Sequence, residues 1–188
     1  TVLTSPDGVN WTRRTSGTDD RLWGVTYGDG LFVAVGDGGT VLTSSDGVSW
    51  TPRPSGTNAT LYGVTHGNGR FVAVGEDGTV LTSPDGVSWT RRSSGTDAWL
   101  EGVTHGNSLF VAVGNWGTIL TSPDGVSWTR RSSGTDRRLY GVTYANGLFV
   151  AVGVGGTVLT SPDGVSWTRR SSGTGAWLYG VTHGAGLF

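Results

Sequence analysis

Short runs of apolar and β-branched residues alternate along the whole chain with clusters of glycine and short polar residues. Within one unit the runs are Leu22–Tyr27, Leu31–Val35, Thr40–Thr43 and Val48–Arg53. They are rich in Val, Thr, Phe, Tyr and Trp, the residues that strands favour. No stretch has the spacing of an amphipathic helix. The 34 glycines recur at fixed places between the runs, where turns need a positive φ. The pattern therefore predicts four short antiparallel strands in each unit.

This unit of 39 residues is repeated without insertions, with copies beginning at positions 1, 40, 79, 118 and 157. Four-stranded units of about 40 residues arranged around an axis form a β-propeller. We therefore predict an all-β, five-bladed β-propeller of four-stranded antiparallel blades, with residues 1–188 as a single domain. The first strand of each blade is expected to line the axis. There a repeated glycine lets neighbouring blades approach closely, at Gly24, Gly63, Gly102, Gly141 and Gly180.

The chain begins at a predicted third strand and ends two residues into a second strand. We expect the ring to close by pairing of the N- and C-terminal strands, with Leu178–Thr182 and Thr1–Arg14 in one blade. The truncated second strand at Phe188 leaves two alternatives. Either residues are missing from the sequence, or a chain that is otherwise a monomer self-associates to complete the blade. The chain has no initiator Met, which indicates a fragment, a processed product or a trimmed chain.

Composition excludes several classes of function. The chain has no cysteine, so it has neither a disulfide framework nor a thiolate site. No apolar run approaches the roughly 18–20 residues of a membrane span, and we predict no membrane partner. All 13 basic residues are Arg, but 14 acidic residues balance them. Because nine of these Arg recur on the predicted outer strand, where charge discourages edge-to-edge association, we predict no nucleic-acid partner.

Residues 5–11 read Ser-Pro-Asp-Gly-Val-Asn-Trp, with copies beginning at Ser44, Ser83, Ser122 and Ser161. This segment resembles the Asp box of bacterial-neuraminidase-repeat propellers, with one residue fewer between the Asp and the Trp. The resemblance implies a structural hairpin between the third and fourth strands, away from the ligand face, and slightly favours an extracellular or cell-surface location. The residues themselves predict Asx turns, in which the aspartates accept backbone N–H groups. These structural aspartates are Asp7, Asp46, Asp85, Asp124 and Asp163.

Some propellers with this repeat are sialidases, so the resemblance also raises an enzymatic hypothesis. It would imply an arginine trio, a Tyr/Glu nucleophile pair and an Asp acid. Glu101 occurs in one blade only, and Glu76 is the only other Glu. Arg21 and Arg138 have no third matching Arg. We therefore predict no enzymatic activity, no catalytic residues and no cofactor, and keep a sialidase-like glycoside hydrolase as the weaker alternative.

The repeats differ mainly in two segments, which a propeller places at the same end. One segment precedes and enters the first strand, and the other is the hairpin between the second and third strands. Together they are rich in Trp, Tyr and Arg, which often dominate binding energy, whereas neutral drift would favour small polar substitutions. We predict a ligand-binding rim formed by Arg21, Trp23, Tyr62, Trp99, Glu101, Trp116, Arg138, Tyr140, Trp177 and Tyr179.

Two further repeated positions carry aromatic residues. His66, His105 and His183 share one repeat position, where they could converge on a metal, but Tyr27 and Tyr144 occupy it in the other copies. We therefore predict aromatic packing and no metal site. The Trp of the fourth strand, at Trp11, Trp50, Trp89, Trp128 and Trp167, is expected to pack between sheets.

The sequence thus favours a non-enzymatic binding propeller that recognises a glycan or a peptide, with a glycan slightly preferred. The competing hypothesis is an engineered or recently amplified repeat scaffold without an evolved ligand, because the copies are nearly identical.

Overall fold

The computed structural model describes all 188 residues, and its regular structure is β apart from four short 3-10 turns. Four antiparallel sheets have four strands each, in chain order from one edge to the other, and a fifth sheet has two. The first strands of successive four-stranded sheets lie next to one another. The chain therefore has the β-propeller fold predicted from its repeats.

Each complete blade follows the same order of strands, with a 3-10 turn between the second and third. The two-stranded sheet contains β1 (Val2–Thr4) and β2 (Thr12–Arg14). The first complete blade contains β3 (Leu22–Gly28), β4 (Leu31–Gly36), β5 (Val41–Ser44) and β6 (Thr51–Arg53). The second contains β7 (Leu61–Gly67), β8 (Arg70–Gly75), β9 (Val80–Ser83) and β10 (Thr90–Arg92). The third contains β11 (Leu100–Gly106), β12 (Leu109–Gly114), β13 (Ile119–Ser122) and β14 (Thr129–Arg131). The fourth contains β15 (Leu139–Ala145), β16 (Leu148–Gly153), β17 (Thr157–Ser161) and β18 (Thr168–Arg170). The 3-10 turns are Asp37–Gly39, Glu76–Gly78, Asn115–Gly117 and Val154–Gly156.

The fourth strand is shorter than the apolar pattern predicted. We expected it to begin at Val48, but β6 begins at Thr51. The backbone N–H groups of Val48 and Ser49 instead donate to the carboxylate of Asp46, both at 2.8 Å. The Asp-box turn therefore extends through residues whose side chains are typical of a strand.

The apolar core lies between neighbouring blades. Val33, Val35 and Val41 of the first complete blade pack against Leu61 and Phe71 of the second, and all five side chains are buried. Equivalent clusters join the second blade to the third and the third to the fourth. Truncating a buried Phe of this kind to Ala costs about 3–5 kcal/mol. The second strands of the second and third complete blades, β8 and β12, have no exposed residue because a neighbouring sheet covers each of their faces.

A glycine in the first strand of each complete blade lets adjacent blades approach at the axis, as the sequence predicted, whereas Gly180 lies outside any strand and a Cβ there would contact no other atom. A Cβ atom on Gly102 would lie 2.8 Å from the carbonyl oxygen of Tyr140 in the next blade. On Gly24 the corresponding distance to the Tyr62 carbonyl oxygen would be 3.1 Å. Any larger residue here would push the first strands apart.

The two ends of the chain are not joined by hydrogen bonds. β1 pairs only with β2, and residues 178–182 form no strand, although Leu178 donates a backbone hydrogen bond to Gly153. Val25, in the first strand of the first complete blade, is 63% exposed. Its equivalent in the second complete blade, Val64, is 9% exposed. Closure of the ring by strand pairing therefore stays a prediction.

The structure contains no helix with the length and apolar character that a membrane span requires.

Candidate binding site on the variable rim

The two variable segments of each repeat lie at the same end of the blades. The first residue of each 3-10 turn donates its backbone N–H to a carbonyl just before the first strand, as Asp37 does to Arg21 and Glu76 does to Thr60, both at 2.9 Å. At the other end, the Asn68 side chain of a first-to-second-strand turn donates to the carbonyl oxygen of Pro123 in an Asp box, at 3.3 Å. The 3-10 turns and the segments that lead into the first strands therefore form one rim, which we call the variable rim.

A β-bulge positions one residue of each first strand on this rim. In the first complete blade the pairing of β3 with β4 shifts between Leu22 and Gly24, which leaves Trp23 without a partner in the ladder. The same shift occurs in the other three complete blades. Bulges re-aim a side chain and are frequent beside binding sites. The four bulge residues are Trp23, Tyr62, Glu101 and Tyr140, all of which the sequence assigned to the binding site.

Six aromatic side chains on the variable rim form a surface that we call the aromatic ledge: Trp23, Tyr62, Trp99, Tyr140, Trp177 and Tyr179. In one half, the rings of Trp23 and Tyr62 are 5.8 Å apart between centroids, and those of Tyr62 and Trp99 are 6.1 Å apart. In the other half, Tyr140 lies 6.3 Å from Trp177 and 4.8 Å from Tyr179. The Arg138 guanidinium joins the halves, 5.7 Å from the Trp99 centroid and 5.1 Å from that of Tyr140. Four of the six rings, those of Trp23, Trp99, Trp177 and Tyr179, are exposed.

Glu101 and Arg138 form an ion pair across the boundary between the third and fourth complete blades. The Arg138 Nε donates to Glu101 Oε1 at 3.0 Å, and the Arg138 Nη2 donates to the same oxygen. The Glu101 side chain is 9% exposed. Burial raises the pKa of the Glu101 carboxyl, and the hydrogen bond from Arg138 opposes that rise. This arrangement fixes the orientation of Arg138 against the rings and occupies one carboxylate oxygen of Glu101.

Two acidic residues of the 3-10 turns, absent from our predicted site, also hold the ledge in place. Asp37 Oδ1 accepts the Trp23 indole N–H at 2.6 Å. Glu76 Oε1 accepts the Tyr62 hydroxyl at 3.0 Å, and its other oxygen accepts the backbone N–H of Thr60 at 3.0 Å. Burial raises the pKa of the Tyr62 hydroxyl, and the Glu76 hydrogen bond raises it further. One feature of the sequence could have identified these two acids. Each follows the bulge residue of its own blade by 14 positions.

Trp116 and Arg21 lie on the variable rim but outside the aromatic ledge. Trp116 is 62% exposed and lies at the outer side of its blade, in a shallow groove lined also by Arg130 and Arg131. Its φ is +54°, a left-handed conformation that is strained for a bulky side chain. Arg21 is exposed, and its side chain makes no hydrogen bond or ion pair within the chain. The predicted site is therefore divided between the ledge and these two separate residues.

The Asp-box aspartates lie at the end opposite the variable rim. The Asp46 carboxylate accepts two backbone N–H groups and the Ser44 hydroxyl, and the other copies repeat this arrangement. The backbone hydrogen bonds lower the pKa of Asp46, Asp85 and Asp163 to about 2. Because Oδ1 of each carboxylate accepts only from residues of its own turn, these aspartates have the geometry of turn residues.

His66 and His105 lie near the ends of first strands, His183 lies outside any strand, and all three rings pack against phenylalanines. The His66 ring is 4.5 Å from Phe71, and that of Tyr27, at the same repeat position, is 4.5 Å from Phe32. His66 Nε2 is also 3.1 Å from a carboxylate oxygen of Asp29 in the preceding blade. No three His, Cys, Asp or Glu side chains are close enough together to hold a metal ion.

Structural comparison shows which folds this chain is similar to. It matches YCF48 bound to D1 peptide with a TM-score of 0.68 and 19% identity over 87% of this chain. It matches YCF48 from Cyanidioschyzon merolae with a TM-score of 0.64 and 20% identity over 82% of this chain. The WD40 β-propeller domain of Doa1 matches with a TM-score of 0.62 and 14% identity over 78% of this chain.

This chain spans 57% of each YCF48 chain and 53% of the Doa1 chain. At these identities the similarity supports the β-propeller fold alone. No protein-family model matches the chain, and no curated protein is significantly similar to it.

Proposed function

We propose that this chain is a non-enzymatic binding propeller and that its variable rim binds a peptide segment of a protein partner. The observation that carries the proposal is the aromatic ledge, which leaves Trp23, Trp99, Trp177 and Tyr179 exposed at the end where the repeats differ most. Rings held by packing and by hydrogen bonds to Asp37 and Glu76 supply contact area at low entropic cost. The peptide in the YCF48 structure supports a peptide as the ligand class over a glycan.

The chemistry of the ledge also favours binding over hydrolysis. A glycosidase of the common type needs two carboxyl groups that flank the scissile bond. On the ledge, Glu101 is bonded to Arg138, and Asp37 and Glu76 each accept a hydrogen bond from a ring of the ledge. We expect no turnover of sialosides or other glycosides, and a measured activity that Glu101→Gln abolishes would contradict this.

A peptide-library selection against the full chain, followed by calorimetry on the selected peptides, tests the proposal. Trp99→Ala and Trp177→Ala should each weaken binding by about tenfold or more, as the loss of a binding hot spot does. The matched control is Trp11→Ala, which removes another exposed Trp and should leave the affinity unchanged. A parallel glycan array decides between the two ligand classes. If neither screen yields a ligand whose binding depends on the ledge, the chain is a repeat scaffold without a ligand at this rim.

A further inference from the structure

A short side chain at Thr60 leaves a gap in the aromatic ledge between the first two complete blades. At the same repeat position the later blades carry Trp99, Arg138 and Trp177. Each of these covers the bulge residue of the preceding blade: Trp99 lies against Tyr62, Arg138 against Glu101 and Trp177 against Tyr140. Thr60 has no ring or guanidinium to place against Trp23, which is 50% exposed and also borders the open groove beside β1.

Two carboxylates border this gap. Asp37 Oδ1 lies 2.6 Å from the Trp23 indole nitrogen, and the Glu76 oxygens lie 3.0 Å from the Tyr62 hydroxyl and from the Thr60 backbone nitrogen. Each of these oxygens retains a free lone pair. Neither carboxylate is in an ion pair, because the two ion pairs of the structure are Asp29–His66 and Glu101–Arg138. We call this site the Trp23 notch; it consists of Trp23, Asp37, Thr60, Tyr62 and Glu76.

The boundary between the third and fourth complete blades shows which chemistry such a notch accepts. There the Arg138 guanidinium lies over the rings of Trp99 and Tyr140 and is hydrogen-bonded to the carboxylate of Glu101. A cation over an aromatic face is attracted by the ring quadrupole, most strongly for Trp, and a carboxylate adds a charge-assisted hydrogen bond. The Trp23 notch presents the same two elements, an aromatic face and carboxylates, with a Thr where the fourth blade supplies its own cation.

We propose that the Trp23 notch binds a cationic side chain, Arg or Lys, of the partner peptide. This inference rests on the proposed function and names the chemistry that the peptide must carry at one position. Two basic residues lie nearby. Arg138 is held by Glu101, and Arg21 precedes Trp23 by two residues without an ion pair of its own. Two carboxylates against one free guanidinium leave the notch with net negative charge.

Small probes test the notch independently of any peptide. The full 188-residue chain is titrated with N-acetyl-arginine amide and with N-acetyl-lysine amide while NMR follows the Trp23 indole N–H, assigned by its loss in Trp23→Phe. We expect saturable shifts of this resonance with both cations. N-acetyl-norleucine amide and N-acetyl-glutamate amide, which lack the positive charge, should leave it unmoved. Equal shifts with the norleucine or glutamate probe would overturn the proposal.

Three variants separate the notch from a general effect of the rim. Thr60→Trp copies the residue that two later blades carry and should fill the gap. Glu76→Gln keeps the shape and removes one charge. Each should weaken binding of the arginine probe by about tenfold, the order expected for one cation–π contact or one charged hydrogen bond. Arg21→Ala should bind the cation at least as tightly as the parent chain; a loss of binding in that variant would point to an anion site and overturn the proposal. Asp29→Asn, at the opposite end, is the neutral control.

Peptide binding then distinguishes the failure of this inference from failure of the proposed function. In a selected peptide, replacement of the essential Arg or Lys by norleucine should weaken binding about tenfold in the parent chain and not in Thr60→Trp. If peptides bind the ledge but tolerate norleucine everywhere, the notch proposal is wrong and the proposed function stands. If the small cations shift Trp23 but no peptide binds, the notch proposal holds and the proposed function fails.

Discussion

The guanidinium of Arg138 donates two hydrogen bonds to one carboxylate oxygen of Glu101, in the preceding blade. The two residues are 37 positions apart, which is one repeat less two residues, so the contact joins neighbouring copies. At the boundaries on either side the same two positions carry a Tyr and a Trp, Tyr62 with Trp99 and Tyr140 with Trp177. A buried ion pair contributes little net stability but is costly to break on one side only. This pair therefore replaces aromatic packing at one blade boundary and orients a cation on the ledge.

The first prediction concerns substitutions that convert this boundary into a copy of the others. Arg138→Trp alone should destabilise the chain by about 2 kcal/mol, because Glu101 stays buried without its partner; we reduce the usual cost because Arg138 is 34% exposed. The double variant Glu101→Tyr with Arg138→Trp should be at least as stable as the parent. Urea unfolding of the four chains gives the coupling energy, and additive effects would contradict the pairing.

The pH dependence of Arg138→Trp provides an independent check of the same pair. Burial raises the pKa of Glu101, so the folded state binds its proton more tightly than the unfolded chain. The stability that this proton contributes is complete below the ordinary Glu pKa and is lost as the pH rises through the raised value. Without Arg138 the rise should be larger, so the variant should lose less stability at pH 4 than at pH 7. Equal losses at the two pH values would mean that Glu101 becomes solvated in the variant.

The second prediction concerns the left-handed Trp116. At the same position the other 3-10 turns carry Gly38, Asp77 and Gly155, all with positive φ. Trp116→Gly should therefore stabilise the chain by about 1 kcal/mol, because the left-handed conformation is strained for a side chain with a Cβ. Asp77→Gly is the matched control and should gain less, since Asp tolerates this conformation better. Thermal unfolding measures both, and a destabilised Trp116→Gly would mean that Trp116 packs favourably against the outer strand.

The third prediction concerns acid unfolding. Hydrogen bonds from the backbone hold the pKa of Asp46, Asp85 and Asp163 at about 2. Because these values lie below those of the unfolded chain, the stabilisation is present above about pH 4 and is lost as the pH falls toward 2. In Asp46→Asn the free energy of unfolding should fall less between about pH 4 and pH 2 than it does in the parent chain. Asp77→Asn, outside the Asp boxes, should not have this effect. If Asp46→Asn lost as much stability at low pH as the parent chain, the turn would not depend on the carboxylate charge.

The repeat pattern was sufficient to predict the fold because each blade is determined locally. Apolar runs of fixed length, glycines at the turns and an Asp residue that binds its own turn recur in every copy, so any one unit contains the information for four strands. The same comparison of copies separated the variable rim from the constant one, because residues such as Trp99 and Arg138 stand where the fold tolerates many side chains.

The arrangement of the site could not be predicted in the same way. The bulge that brings Trp23 onto the rim depends on the register between β3 and β4, which the apolar pattern does not specify to a single residue. The partners of Asp37 and Glu76 follow from that bulge. Trp116 was grouped with the ledge because it lies on the same rim, but the left-handed backbone of its 3-10 turn places it at the outer side of the blade, beside Arg130.

The fourth prediction concerns the ends of the chain. Leu3 is 54% exposed and Val25 is 63% exposed, whereas their equivalents Leu42 and Val64 are 1% and 9% exposed. If residues 178–182 pair with β1 in solution, deletion of residues 1–14 should lower the melting temperature by at least about 5 °C, since the blades beside the deletion lose an interface. Hydrogen exchange of the Leu3 amide in the parent chain is the direct measurement, because alternation along β1 directs the Val2 and Thr4 amides to β2 and the Leu3 amide to the opposite edge. An unprotected Leu3 amide and an unchanged melting temperature after deletion would rule out end-to-end closure, and a defined oligomer of the parent chain would favour completion between chains.

The last prediction separates the aromatic ledge from the core by comparing two tryptophans of the same blade. Trp99 is exposed on the ledge, whereas Trp128 is partly buried, packs against the core between the second and third complete blades and donates its indole N–H to the Gly125 carbonyl at 2.9 Å. Trp128→Ala should destabilise the chain by about 2–3 kcal/mol, less than a fully buried Trp because part of its ring is exposed. Trp99→Ala should change the free energy of unfolding by less than about 1 kcal/mol while it weakens peptide binding about tenfold. Chemical denaturation and calorimetry on both variants check the two halves of this prediction. If Trp99→Ala unfolds the chain and Trp128→Ala leaves its stability unchanged, the assignment of the ledge and the core to these residues is wrong, because the stability would then depend on the ring that lies outside the buried core.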